Sequence, residues 1–157
     1  MKLLDTATNA SVEGCAAAVI DTAFDVVRLV RAEIHRSRPA RLSLQQVRAL
    51  ACVDRAAGAS LSLVAEQLGL ALPSASHLVD ALVRRGLLAR RNDDADRRRI
   101  RLDLTARGTA ALKRAMDLAR TIMAERIGSL TAQERRAVVE SMDLLRPHLA
   151  NGALATE

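Results

Sequence analysis

Apolar residues recur at helical spacing from Val12 to Ile34, through Cys15, Val19, Ala23, Val26 and Val30. Ile20, Phe24 and Val27 run beside them as a second stripe. A helix with two apolar stripes is expected to bury more than one face. The stretch HRSRP closes it, because the residue ahead of Pro39 is driven out of helical geometry. Ser43 opens the next helix: it has capping-box spacing with Gln46, and Val47, Leu50 and Val53 make the apolar face. AAGAS breaks that helix. Two short helical segments follow, LSLVAEQLGL and PSASHLVDALVRRG, joined at Gly69. A short helix, a Gly-bearing turn and a second helix form the sequence signature of a helix-turn-helix.

After Gly86 the period changes from 3.6 to 2. LLARR and RIRLDLT read as two strands around NDDAD, whose Asn and Asp favour a turn. A hairpin directly after a helix-turn-helix is a wing. The helical period returns from Thr105 through Leu112, Met116, Ala119, Met123 and Ile127. A last helix opens at Thr131, again at capping-box spacing from Glu134, and carries Val138, Met142, Leu145 and Leu149. The expected fold is mainly α with a small β-hairpin wing. Its organisation is an N-terminal segment and first helix (1–41), a winged helix-turn-helix region (42–104) and C-terminal helices (105–157).

Charge sharpens this picture. The chain of 157 residues carries a net charge of +6. Eight arginines (84, 85, 90, 91, 97, 98, 99 and 101) against three aspartates (93, 94 and 96) give a local +5 between Arg84 and Arg101, nearly the whole surplus. A concentrated basic segment favours an anionic partner, with nucleic acid first. Phe24 is the one aromatic, so the base-stacking used by single-strand and RNA readers is excluded and the core must be aliphatic. Cys15 and Cys52 lie in no CxxC and near no His pair, so neither a metal nor a disulfide framework is supported and no cofactor is expected. The sequence contains no P-loop, G-x-S-x-G or H-E-x-x-H, so an enzyme is not expected. The opening residues lack the apolar core of a signal peptide, and no apolar run reaches membrane-spanning length, so the expectation is a cytoplasmic protein without a membrane partner.

The segments LSLQQVRAL, LVAEQLGLALPSASHLVDALVRRGLLAR, DRRRIRLDLTARG and LTAQERRAV, in that order over Leu42 to Leu149, resemble the MarR family of bacterial winged helix-turn-helix transcription regulators. The resemblance implies a homodimer in which the first helix and the last two intertwine. It also implies a pseudopalindromic operator on double-stranded DNA, and a repressor released by a small ligand or by oxidation. One departure stands out. The family has Ser then Pro ahead of the second helix of the motif, whereas Ala71 and Leu72 stand here, with Pro73 one place later. Leu72 would then be a poor cap.

A recognition helix offers its N-terminal residues to base edges, so Ser74, Ser76 and His77 are the expected readers, and Arg84 and Arg85, at its far end, are expected at phosphates. His77 stands where the family commonly has Arg. Arg97 and Arg98, at a hairpin tip, suit a narrow minor groove, with Asp96 placed to buttress one of them by ion pairing. The plain alternative for the arginines is a solvated face, and for the serines simple capping. His35, Arg36 and Arg38 close the first helix, near where the resemblance places an effector pocket, and would suit a small anionic or aromatic ligand; the alternative is cations capping a helix C-terminus. Cys15 falls about where peroxide-sensing family members keep a reactive cysteine. Their thiolate is held by tyrosines, however, and this chain has none, so the competing reading is a small buried core residue. A winged-helix module that binds acidic protein instead of DNA is the rival function.

Overall fold

The computed structural model describes residues 11–36, 42–92 and 100–150. Among the described residues, six helices and one hairpin follow in the expected order: α1 (Val12–Arg36), α2 (Leu44–Arg55), α3 (Leu61–Leu68), α4 (Leu72–Arg84), β1 (Leu88–Asn92), β2 (Ile100–Leu104), α5 (Ala106–Arg126) and α6 (Ala132–Ala150). The chain divides into two compact units, Met1–Ala119 and Arg120–Glu157, with α5 running through the division.

Local chemistry sets most boundaries. Ser43 and Gln46 form the capping box of α2: the Ser43 Oγ accepts from the Gln46 N–H at 3.2 Å, and Gln46 Oε1 accepts from the Ser43 N–H at 3.0 Å. Ser60 caps α3 by accepting from the Leu63 N–H at 3.1 Å. Gly69 ends α3 in the left-handed region, at φ 66°, which no Cβ disfavours in glycine. Thr131 caps α6. Its Oγ1 accepts from the Glu134 N–H at 3.3 Å, while the Glu134 carboxylate accepts from the Thr131 N–H at 2.7 Å. The Thr131 N–H and, at 2.9 Å, the Thr131 hydroxyl, both donating to it, hold the Glu134 carboxyl below the usual carboxylate range.

β1 and β2 pair antiparallel, with Leu88 opposite Leu104, Arg90 opposite Leu102 and Asn92 opposite Ile100. A third segment joins them: Ala59, between α2 and α3, bridges Leu102, whose N–H donates to the Ala59 carbonyl at 2.9 Å. The core lies where α2, α3, α4 and this small sheet converge. Leu50, Leu82, Leu88, Leu102, Val64 and Val79 are its fully buried large side chains. It is aliphatic, as the near-absence of aromatics requires.

The hinge between hairpin and α5 is tightly built. The Thr105 hydroxyl donates to the Gly86 carbonyl at 2.7 Å and accepts from the Gly108 N–H at 3.0 Å, while the Thr105 N–H donates to the Leu87 carbonyl at 3.2 Å. Gly108 is required there by contact: a Cβ at that position would lie 2.0 Å from the Leu87 carbonyl oxygen.

Of the two stripes of α1, one was expected against the chain's own domain and one against a partner: Val19, Val26 and Val30 are partly buried, while Phe24, 68% exposed, and Ile20 and Val27 lie open in the single chain. Periodicity reports that a face is apolar, not what covers it. For the same reason Cys15, expected as a buried residue of the first stripe, is exposed in the single chain. Cys52 is the buried thiol, pushed up from its ordinary value by burial in the core of α2.

Candidate nucleic-acid interface

α4 is anchored by Ala75, Val79 and Leu82, which enter the core and fix the helix's rotation. Pro73, His77, Asp80 and Arg84 follow at spacings of four, three and four on the opposite side. Ser74, His77 and Arg84 are exposed and Ser76 is half-buried. The outward side therefore presents a hydroxyl, an imidazole and a guanidinium within three turns.

The start of α4 differs from expectation. Leu72 is its first residue and not its cap. Ala71 occupies the cap position, at φ −64° and ψ 146°, and makes no side-chain hydrogen bond there. Pro73 is the second helical residue, where a missing N–H costs nothing because that donor has no intrahelical acceptor. Ser74 is thus the third residue of the helix, and Ser76 and His77 lie in its second turn instead of its first.

The two arginines at the far end are used differently. Arg84 is exposed. Arg85, the C-cap residue, is half-buried and donates through Nη1 to Gln46 Oε1 at 3.0 Å, tying the end of α4 to the capping box of α2. Arg85 is therefore part of the scaffold in this structure.

The hairpin is bound to α4 by a pair that sequence spacing did not announce. Arg90, on β1, donates through Nη2 to Asp80 Oδ1 at 2.5 Å, with both side chains about one-third exposed (38% and 34%). Across the hairpin Arg91 and Arg101 are directly opposed, a repulsive placement for like charges. Asp103 relieves it by pairing with Arg91 at 3.1 Å. The Arg101 side chain passes over Gly58, where a Cβ would come within 3.0 Å of its Cδ and Nη1. Asp96, Arg97 and Arg98, expected at the wing tip, lie outside the described residues, as does Arg38. His35 and Arg36 end α1 by backbone position. Among the described residues no His, Cys, Asp and Glu cluster could hold a metal ion, and no helix is long and apolar enough to cross a membrane.

Residues 42–100, from the start of α2 into β2, match the model of the MarR family. Residues 42–100 of this chain are thus a MarR-family region. No curated protein matches the sequence. Among solved structures, the transcriptional repressor CouR bound to a 23-mer DNA duplex is 26% identical, with 93% of this chain and 99% of that one covered and a TM-score of 0.63. RV1404 from Mycobacterium tuberculosis is 21% identical over 92% of this chain and 97% of its own, with a TM-score of 0.77. BpsR from Bordetella bronchiseptica, whose DNA binding is regulated by 6-hydroxynicotinic acid, is 24% identical over 82% and 98%, with a TM-score of 0.60. The fold is that of MarR winged-helix proteins, mainly α with a two-stranded wing. MarR-family members are DNA-binding transcription regulators and not enzymes, and this chain, which carries the MarR region, is a transcription regulator.

Proposed function

We propose that this protein, which carries the MarR region, is a ligand-responsive repressor that binds a pseudopalindromic operator as a homodimer. The observation that carries the reading is the outward side of α4, where Ser74, His77 and Arg84 stand free of the core that fixes the helix. Two such helices, one per subunit, would enter successive major grooves about one turn (~34 Å) apart. Ser74, Ser76 and His77 would read base edges, and Arg84 would hold phosphate. Arg85 would reach phosphate only by leaving Gln46.

Arg97 and Arg98 at the wing tip would enter the flanking minor groove, with Asp96 buttressing one of them. Segments 1–41 and 105–157 would supply the dimer contacts around the DNA-binding region, 42–104. The exposed apolar side chains of α1 support that assignment. His35, Arg36 and Arg38 are the proposed contacts for a small anionic or aromatic effector, a reading supported by the regulation of the similar BpsR by 6-hydroxynicotinic acid. Such a ligand acts only through different affinities for the DNA-competent and incompetent states. Cys15 on exposed α1 is the position an oxidation-sensing variant of this reading would use.

Fluorescence anisotropy on the duplex upstream of the protein's own gene, with unrelated duplex as competitor, tests the reading. Tight, salt-sensitive binding that survives the competitor is expected. Binding that the competitor abolishes would leave a basic surface and move the acidic-protein module forward.

A further inference from the structure

The tip of α4 is apolar where helix starts are ordinarily polar. Ala71, Leu72 and Pro73 are consecutive and all exposed. No side chain caps the helix, and Pro73 removes one of the free donors. Leu72 is 53% exposed, and among the described residues between 42 and 104 only it and Ile100 are large apolar side chains on the exposed side. Its neighbours behave otherwise: Leu70 and Leu78 pack against the core, while Leu72 stands outside it. It is not serving as a staple, because the residue that would do so precedes the cap, and that residue is Leu70.

Geometry gives Leu72 a direction. Helical Cα–Cβ bonds tilt toward the N-terminus, so a leucine in the first helical position reaches past the end of its own helix. In a recognition helix that end lies deepest among the base edges. The major-groove edge presents one methyl group, the 5-methyl of thymine; the other groups that distinguish the base pairs there are hydrogen-bond donors and acceptors. A branched aliphatic side chain cannot use those, but it can exclude water from a methyl group.

Resting on the reading of α4 as the base-reading helix, we infer that Leu72 is a specificity-determining residue that recognises thymine through its 5-methyl group. Ser74, one step further in and exposed, supplies the neighbouring polar contact. The operator half-site therefore holds a thymine that no hydrogen bond from the protein selects.

The test deletes the methyl group from one partner and the leucine from the other. The full-length protein selects duplexes from a randomised library, and the enriched duplex is resynthesised with each thymine replaced in turn by deoxyuridine, which lacks only the methyl. Affinities are measured for the wild type, Leu72→Ala and Leu72→Met. At one thymine per half-site the replacement should weaken wild-type binding about fourfold, the effect of one buried apolar carbon. It should leave Leu72→Ala unaffected, and Leu72→Met should keep the sensitivity. Equal deoxyuridine penalties in wild type and Leu72→Ala at every position would overturn the inference while α4 remained the reader. If no sequence is enriched, the base-reading assignment itself falls and takes the inference with it.

Discussion

Asp80 stands on the same outward side of α4 as His77 and Arg84, a carboxylate on the surface proposed above to meet DNA. Its pairing with Arg90 at 2.5 Å consumes one acid and one base of that surface at once. With both side chains about one-third exposed, the pair contributes at most about 1 kcal/mol to stability, since water screens it. Its larger effect is on binding. Asp80→Asn should leave thermal stability nearly unchanged, release Arg90 and steepen the salt dependence of DNA affinity by about 0.9 in log–log slope for each new phosphate contact. Arg84→Ala should move the slope the other way by a similar amount, because Arg84 is exposed and takes no part in the core. Anisotropy titrations at several salt concentrations read both. A slope unmoved by either substitution would remove this side of α4 from the interface. Spacing could not have revealed the Asp80–Arg90 pair: the two residues lie on different elements, and their meeting depends on how the hairpin folds back on the helix.

Among the elements, those governed by local chemistry were legible in the sequence. The capping boxes at Ser43 and Thr131 marked the starts of α2 and α6, and the change of period after Gly86 marked the hairpin. The beginning of α4 is one residue earlier than the sequence suggests, because Ala71 has no capping group to announce it and the pattern points to Leu72 as the cap. The bridge from Ala59 to Leu102 was invisible because a single paired residue leaves no alternation to detect. The glycine after Thr105 is a different case: its motif was visible, but its reason is a contact with a carbonyl 21 residues earlier in the chain. Gly108 packs its backbone against Leu87 at the join of hairpin and α5, and the Cβ of an alanine there would overlap the Leu87 oxygen at 2.0 Å. Backbone must move to relieve it, so Gly108→Ala should cost about 3 kcal/mol, the upper range for overpacking. Urea denaturation measures the loss directly. A change below about 0.5 kcal/mol, the size of an ordinary surface substitution, would mean that the turn yields freely.

At the scale of the whole molecule, the buried core lies among α2, α3, α4, the hairpin and the start of α5, while α1 and α6 carry exposed large apolar side chains. Phe24, 68% exposed, shares α1 with the exposed Ile20 and Val27, and α6 carries the exposed Val138, Val139, Met142 and Leu144. A protein that left so many large apolar side chains in water as its final state would forgo about 1.5–3 kcal/mol for each one it could have buried. Scattered apolar residues on a surface need no explanation, but rows of them along two helices mark a contact surface. In the homodimer proposed above, a second copy of the chain would supply the covering surface for these residues. Sedimentation equilibrium should therefore give about 34 kDa, twice the 16.9 kDa chain. Replacing Phe24 with Arg places a charge in the middle of the α1 row, where it has no partner to bury against. The variant should shift toward the single-chain mass while circular dichroism keeps its helical signal, and its operator affinity should fall because two half-sites can no longer be held together. A wild-type protein that sediments as one chain at micromolar concentration would leave those apolar rows to some other partner. It would also require α4 to find its operator through a single half-site.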